Sequence, residues 1–425
     1  MPSRAGLGGG GVCLAFDALE GKVEMLDFTA PAPATISPLA DRPSAIPANP
    51  RGFFALHARH GRLQWREVVA PAEHLARFGH PVSRAFASDL AAVGPALLAA
   101  SGARAMYGTS SGALAGEGDG VKALDLAATL GLIRARGVGP FYTGPYANTL
   151  VQAVTAAGGS LSIEDLRNFT PKWRETVRVE VGNEVAHFAA PPAAASTQAA
   201  VMFALLQEDG NFDGASEAEQ ARLLAEVGLR SFADRETWLS ASGQATQNAA
   251  GLTAPARIEG LLRGINPARR SAVSSFTLSP QDRHENPSAT TFSAVDPMGN
   301  AVSCAVTMNA AFGTGRVVQG KGLLLAAAPG TGGRGATGLA PMLMVNENSK
   351  EFHFAGGASG GVAAPTALAQ VAARVLLDQQ GLEAALAAPR VHLSGVPDVT
   401  YHEPGLSAEA VAALSSAGHR TATTP

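Results

Sequence analysis

Residues 289–309 run ATTFSAVDPMGNAVSCAVTMN, two arms rich in β-forming residues on either side of a turn. Asp296 at the first corner, Pro297 second and Gly299 fourth suit a type I turn, so the stretch predicts a β-hairpin over residues 291–306. Side chains alternate along a strand. Ser303, Ala305, Thr307 and Asn309 therefore share one face of the second arm, and Val302, Cys304, Val306 and Met308 share the other. A polar face can lie toward solvent, as in many antiparallel sheets. Here it can also line a site, with Thr307 and Asn309 beside the other arm, which begins Ala289-Thr290-Thr291-Phe292-Ser293.

Upstream, residues 12–16 and 22–28 read as strands joined by a turn at Glu20-Gly21, and a Pro-rich loop covers 31–50. Leu63, Val68, Val69, Ala72 and Leu75 recur at helical spacing around Pro71, which predicts two short helices or one kinked one. Residues 125–136 read as a helix with Asp125 at the N-cap, and 146–157 as another. Ser162 with Asp165 is a capping box. Residues 177–181 alternate as a half-buried strand, 217–238 have helical period with Asp234-Arg235-Glu236 on a solvated face, and 240–248 read as a loop. Downstream come a strand at 323–327, a glycine loop at 330–338, a hairpin over 342–355, and a glycine turn, Gly356 to Gly361, that opens a helix. With no repeat and no clear linker beyond the Pro-rich loop, the pattern predicts one continuous α/β domain.

Composition narrows the function. Of 425 residues, 46% are hydrophobic and 16% charged, against about 25% charged in an average domain, so the chain is folded rather than disordered. A formal charge of −3 without a basic run argues against nucleic acid as a partner. No apolar run approaches the ~18 residues of a membrane span, so no membrane partner is expected. Cys13 and Cys304 make neither a disulfide framework nor a zinc spacing, and Cys304 falls on an apolar face where packing is its expected role. His57 with His60, and His392 with His402, lack a completing carboxylate, so no metal or cofactor is expected. Gly8 to Gly11 lack the Lys-Ser/Thr of a phosphate loop and point instead to close backbone packing. Gly356 to Gly361, between a strand and a helix, could aim backbone N–H groups at an anion or a developing oxyanion.

Taken in order, these segments resemble the γ-glutamyltransferase family of N-terminal-nucleophile hydrolases along essentially the whole chain. The marks are Gly6-Leu-Gly-Gly-Gly-Gly11, Leu26-Asp-Phe28, VVAPAEHLARFGHPVS ending at Ser83, Asp125-Leu-Ala-Ala-Thr129, Phe141-Tyr142 and Ala157-Gly-Gly159. They continue through Asp296 to Val302, Thr307-Met-Asn309, Phe312-Gly-Thr-Gly315, Gly360-Gly361 and Ala388-Pro-Arg390. The resemblance implies an α+β fold, a four-layer αββα sandwich in a single continuous domain over 1–425, with a large portion, 1–289, and a small one, 290–425. It also implies a precursor that cuts itself before a threonine. That residue then attacks a γ-glutamyl or related amide and passes the acyl group from an acyl-enzyme to water or an amine. Thr307 would hydrogen-bond the nucleophile, Asn309 would help hold the glutamyl head, and Gly360 and Gly361 would form the oxyanion hole. The family's paired serines align with Thr337 and Gly338.

Three departures qualify that expectation. Where the family reads Thr-Thr-His-Phe/Tyr-Ser, this chain reads Ala289-Thr290-Thr291-Phe292-Ser293, so an ungapped match puts Ala289 at the nucleophile. With one residue deleted, the nucleophile is Thr290, on the opposite strand face unless a bulge intervenes; Thr291 has the right face two residues along. Thr290 is the expected nucleophile, and a catalytically inactive single-chain relative that binds or scaffolds is the alternative. The arginine expected after Leu26-Asp-Phe28 is replaced by Thr29-Ala30-Pro31, and the head-group residues after the strand at 323–327 by Ala326-Ala-Ala-Pro-Gly-Thr331. A charge-assisted hydrogen bond is worth roughly 1.5–3 kcal/mol, so the absence of these groups argues against ordinary glutathione recognition. Localisation stays open, because the chain begins inside the family's first glycine motif.

Overall fold

The computed structural model describes residues 3–240, 243–279, 289–330 and 336–424. Strands β1 (Gly10–Asp17) and β2 (Lys22–Phe28) form the first hairpin, with Gly21 at φ +72° in its turn. A first antiparallel sheet adds β3 (Lys172–Arg174), β6 (Ala289–Val295) and β7 (Ala301–Thr307) in the order β3-β2-β1-β7-β6. A second is built from β4 (Val177–Val181), β5 (Glu184–Phe188), β8 (Ala340–Asn346) and β9 (Glu351–Ala358) in the order β9-β8-β5-β4.

The two sheets close face to face over Val12, Leu14, Phe16, Ala289, Ala305, Leu343 and Val345. Helix α1 (Asn49–His60) covers the outer face of the first sheet, packing Phe53 and Leu56 on Leu26, Phe28 and Val306. Helices α3 (Ala194–Asp209), α4 (Glu217–Trp238) and α5 (Ala364–Leu376) share a core with the outer face of the second. This is the four-layer αββα sandwich. Each sheet takes strands from both sides of residue 289, so neither portion owns a sheet.

Local expectations are met where the signal is local. The hairpin turn closes through the Gly299 N–H to the Asp296 carbonyl at 3.0 Å, and the Ser162–Asp165 box caps a short helix, Ile163–Asn168. Of the two options around Pro71 the structure takes the single helix, α2 (Trp65–Phe78), with the proline inside it. Two readings are corrected. The helix Leu124–Arg136 begins after Ala123, and Asp125 instead accepts the Gly320 N–H from 195 residues away at 2.9 Å. Asp234 is buried: its carboxylate pairs with Arg257 at 2.5 Å and accepts the Trp238 indole N–H at 3.0 Å. Its face of α4 meets neighbouring structure rather than water, which one helix's own period cannot reveal. Residues 331–335 of the predicted glycine loop lie outside the described residues.

Two buried imidazoles tie stability to pH. Burial, reinforced by Arg178, depresses His187 to about 3 while Thr176 holds its Nδ1 at 2.8 Å. Burial lowers His392 to about 4, with Thr366 at 3.0 Å. Both stay neutral in the fold and protonate readily once it opens, so their contribution is complete above the unfolded value near 6.5 and fades as pH falls toward 4 and 3. Urea unfolding at pH 5 should show stability lower than at pH 7.5 by roughly 2 kcal/mol per histidine. His187→Asn should flatten part of that slope.

Candidate active site

The site lies where the start of β6, the end of β7 and the end of β9 converge. β7 takes its place because Gly9, Gly10 and Gly11 let β1 approach: a Cβ on Gly9 would lie 2.3 Å from the Thr307 carbonyl oxygen, and one on Gly10 2.3 Å from the Ala30 nitrogen. The glycine run is therefore a packing device. In the resulting register Thr307 stands between Gly10 on one side and Ala289 on the other.

Thr307 is buried, and its Oγ1 accepts the Asn309 N–H at 2.9 Å. Asn309 is left-handed, φ +59°, and its Nδ2 donates to the Ala327 carbonyl at 3.0 Å and reaches the Ala30 carbonyl at 3.5 Å. The asparagine thus staples two loops to the end of β7. Those loops are the Thr29-Ala30 segment that lacks the expected arginine and the Ala326-Ala327-Ala328 segment that lacks the expected head-group residues. Just before the first of them, Asp27 on β2 is occupied by Arg174 at 3.0 Å and by the Thr29 hydroxyl at 2.8 Å.

From β7, Ser303 donates to the Gly356 carbonyl on β9 at 2.7 Å, tying the two sheets together. Gly356 and Gly357 belong to strand β9, so the predicted turn begins later, after Ala358. Gly361, φ +62°, occupies a left-handed conformation that favours glycine. It opens the turn Gly361–Ala363 that leads into α5. Among the described residues neither the Gly360 nor the Gly361 N–H has a protein acceptor. Gly338 packs against Gly361, where a Cβ would lie 3.9 Å from its Cα, and the Thr337 methyl lies 3.0 Å from where Gly243 would carry a Cβ.

The three residues that open β6 divide between its faces. Ala289 is paired with Thr307, Thr290 with Val306 and Thr291 with Ala305, with no register shift along the ladder. Ala289 and Thr291 therefore face the second sheet, Thr291 close enough that a Cβ on Gly357 would meet it at 2.9 Å. Thr290 shares the face of Val306 and Phe292, under α1. No bulge turns Thr290 toward Thr307 in the intact strand. Sequence reasoning missed the two backbone carbonyls that hold Asn309, which leave no residue-type signal. It also missed the approach of Gly357 to Thr291, for which the small residue at 357 was the available clue.

The fold and this convergence define a class of protein, and the comparisons identify it. Residues 1–425 match the family model for gamma-glutamyltranspeptidase, and the chain belongs to that family. The glutathione hydrolase proenzyme of Pseudomonas aeruginosa is 28% identical, over 95% of this chain and 78% of its own length. That of Escherichia coli is 27% identical, over 99% and 79%. Among solved structures, a cephalosporin acylase from Bacillus halodurans shares the fold with a TM-score of 0.83 at 19% identity, over 100% of this chain and 82% of that one. A Helicobacter pylori gamma-glutamyltranspeptidase aligns over 64% of this chain and 82% of its own, with a TM-score of 0.57 at 23% identity.

Among the described residues there is no cluster of three or more His, Cys, Asp or Glu able to hold a metal, and no helix is long and apolar enough to cross a membrane.

Proposed function

We propose that this chain is an amidohydrolase and acyltransferase acting on a γ-glutamyl or related small amide, through a threonine made amino-terminal by self-cleavage between Ala289 and Thr290. In the precursor the Thr290 hydroxyl attacks the Ala289 carbonyl and the peptide nitrogen takes up the proton; water then cleaves the resulting ester. The products are an Ala289 carboxyl group and a Thr290 α-amine. That amine, with a pKa of about 8, accepts the hydroxyl proton as the oxygen attacks the substrate carbonyl, and returns it to the departing amine. The Gly360 and Gly361 N–H groups receive the negative oxygen of the tetrahedral intermediate. Water or a second amine then releases the acyl group from the Thr290 ester.

The observation that carries this reading is the register that brings the start of β6 level with Thr307, beside the end of β9 that leads into Gly360-Gly361. The face occupied by Thr290 in the intact strand is compatible with it: an amino-terminal residue has no preceding peptide, so rotation about its Cα–C bond can exchange amine and side chain. Because Thr29-Ala30 and Ala326 to Ala328 replace the family's head-group readers, the acyl group is expected to differ from an unmodified γ-glutamyl head.

The test is single-turnover acylation by a panel of anilides, γ-glutamyl and neutral acyl. Release of aniline with the acyl mass on the Thr290 peptide supports the proposal; no acylated peptide with any member overturns it. Thr307→Val, which keeps the shape and removes the hydroxyl, should slow both chain cleavage and acylation about 10²-fold, while urea unfolding changes by about 1 kcal/mol.

A second reading has one observation in its favour: the position paired with Thr307 is the methyl group of Ala289. On that reading the protein is a single-chain binding relative, and it requires the backbone at 289–290 to stay whole.

A further inference from the structure

Cys13 on β1 and Cys304 on β7 stand directly opposite each other and are joined by a disulfide spanning 291 residues of sequence. Packing is the role expected of Cys304, and the bond corrects it; both cysteines are fully buried and lie on the face of the first sheet covered by α1. Three positions along the same ladder, Gly10 stands opposite Thr307. The bond therefore pins the β1–β7 register that sets Thr307 opposite Gly10; a slip of one residue would turn Thr307 to the opposite face.

We infer that this bond makes the two portions on either side of residue 289 one covalent molecule, so that a break between Ala289 and Thr290 leaves them joined. The bond stands independently of the proposed self-cleavage; the joining of two separate chains rests on it. To form it, the two thiols each lose a proton and together give an electron pair to the disulfide of an exchange partner, oxidised glutathione or a thiol–disulfide oxidoreductase, which leaves as two thiols. Such bonds persist in oxidising compartments.

The full chain, produced with export to an oxidising compartment, is denatured in guanidinium with N-ethylmaleimide, with or without prior reduction, then weighed intact and run on paired gels. The expected result is no maleimide adduct without reductant and two with it. A self-cleaved sample should also give one band unreduced and two reduced. Two adducts without reductant, or two separate fragments in the unreduced lane, overturn the inference. No adducts unreduced, with one band in both lanes, supports the bond while counting against self-cleavage, so the two ideas fail separately. Cys13→Ser should carry one adduct in either condition.

Discussion

Gly9→Ala is expected to destabilise the protein by about 3 kcal/mol or more, at the upper end of overpacking costs, and to disable the site with it. The added methyl would lie 2.3 Å from the Thr307 carbonyl oxygen and 2.9 Å from the Met308 sulfur. Thioethers yield by rotation, but a carbonyl in a ladder does not. Nor is Gly9 free to retreat, because its own carbonyl accepts the N–H groups of Ala48 and Asn49 at 2.9 and 2.8 Å. Strain must therefore pass into the end of β7, the segment that carries Thr307 and Asn309. Gly260→Ala is the matched control: it lies in the helix Pro255–Leu262, and a Cβ there meets nothing within 4 Å. That change should be neutral or stabilise by up to about 1 kcal/mol. Urea unfolding of both variants checks the pair; equal effects would remove the packing argument for the glycine run.

The second large effect is expected from Thr290→Ala, which should leave the chain whole and lower amide turnover by about 10⁴-fold or more, as loss of a nucleophile does. Stability should move by about 1 kcal/mol or less, since the side chain is only half-buried. Thr290→Ser keeps a hydroxyl and should retain both cleavage and turnover at reduced rates. Peptide mapping and anilide release separate these outcomes. A variant lacking the Thr290 hydroxyl that still breaks, with Thr291 leading the new chain, would shift the chemistry to Thr291 on the face toward the second sheet.

Much of the fold was legible because its signals are local. The Asp296 to Asn300 turn, the alternation of β7 and the capping box at Ser162 each need only a few neighbouring residues. The glycine run was also legible, since four consecutive residues without side chains imply a close neighbour. What stayed hidden depends on distant partners. The pairing of Cys13 with Cys304 follows from a register across 291 residues of sequence. Asp234 looked solvated because its helix's period says nothing of what covers that face. Asn309 reads as a substrate ligand by motif, yet its amide group is engaged by the backbone of Ala327, and a carbonyl carries no residue-type signature. At the nucleophile, sequence could state the choice among Ala289, Thr290 and Thr291; the ungapped ladder supplies which face each one holds.

The central claim is that Thr290 becomes an amino terminus. The most direct measurement is the intact mass of the purified chain after incubation, reduction and denaturation, with sequencing of every amino terminus found. Two polypeptides are expected, with masses that together exceed that of the 43.1 kDa chain by a single water, the smaller one beginning Thr290-Thr291-Phe292. One unbroken chain after prolonged incubation would contradict it.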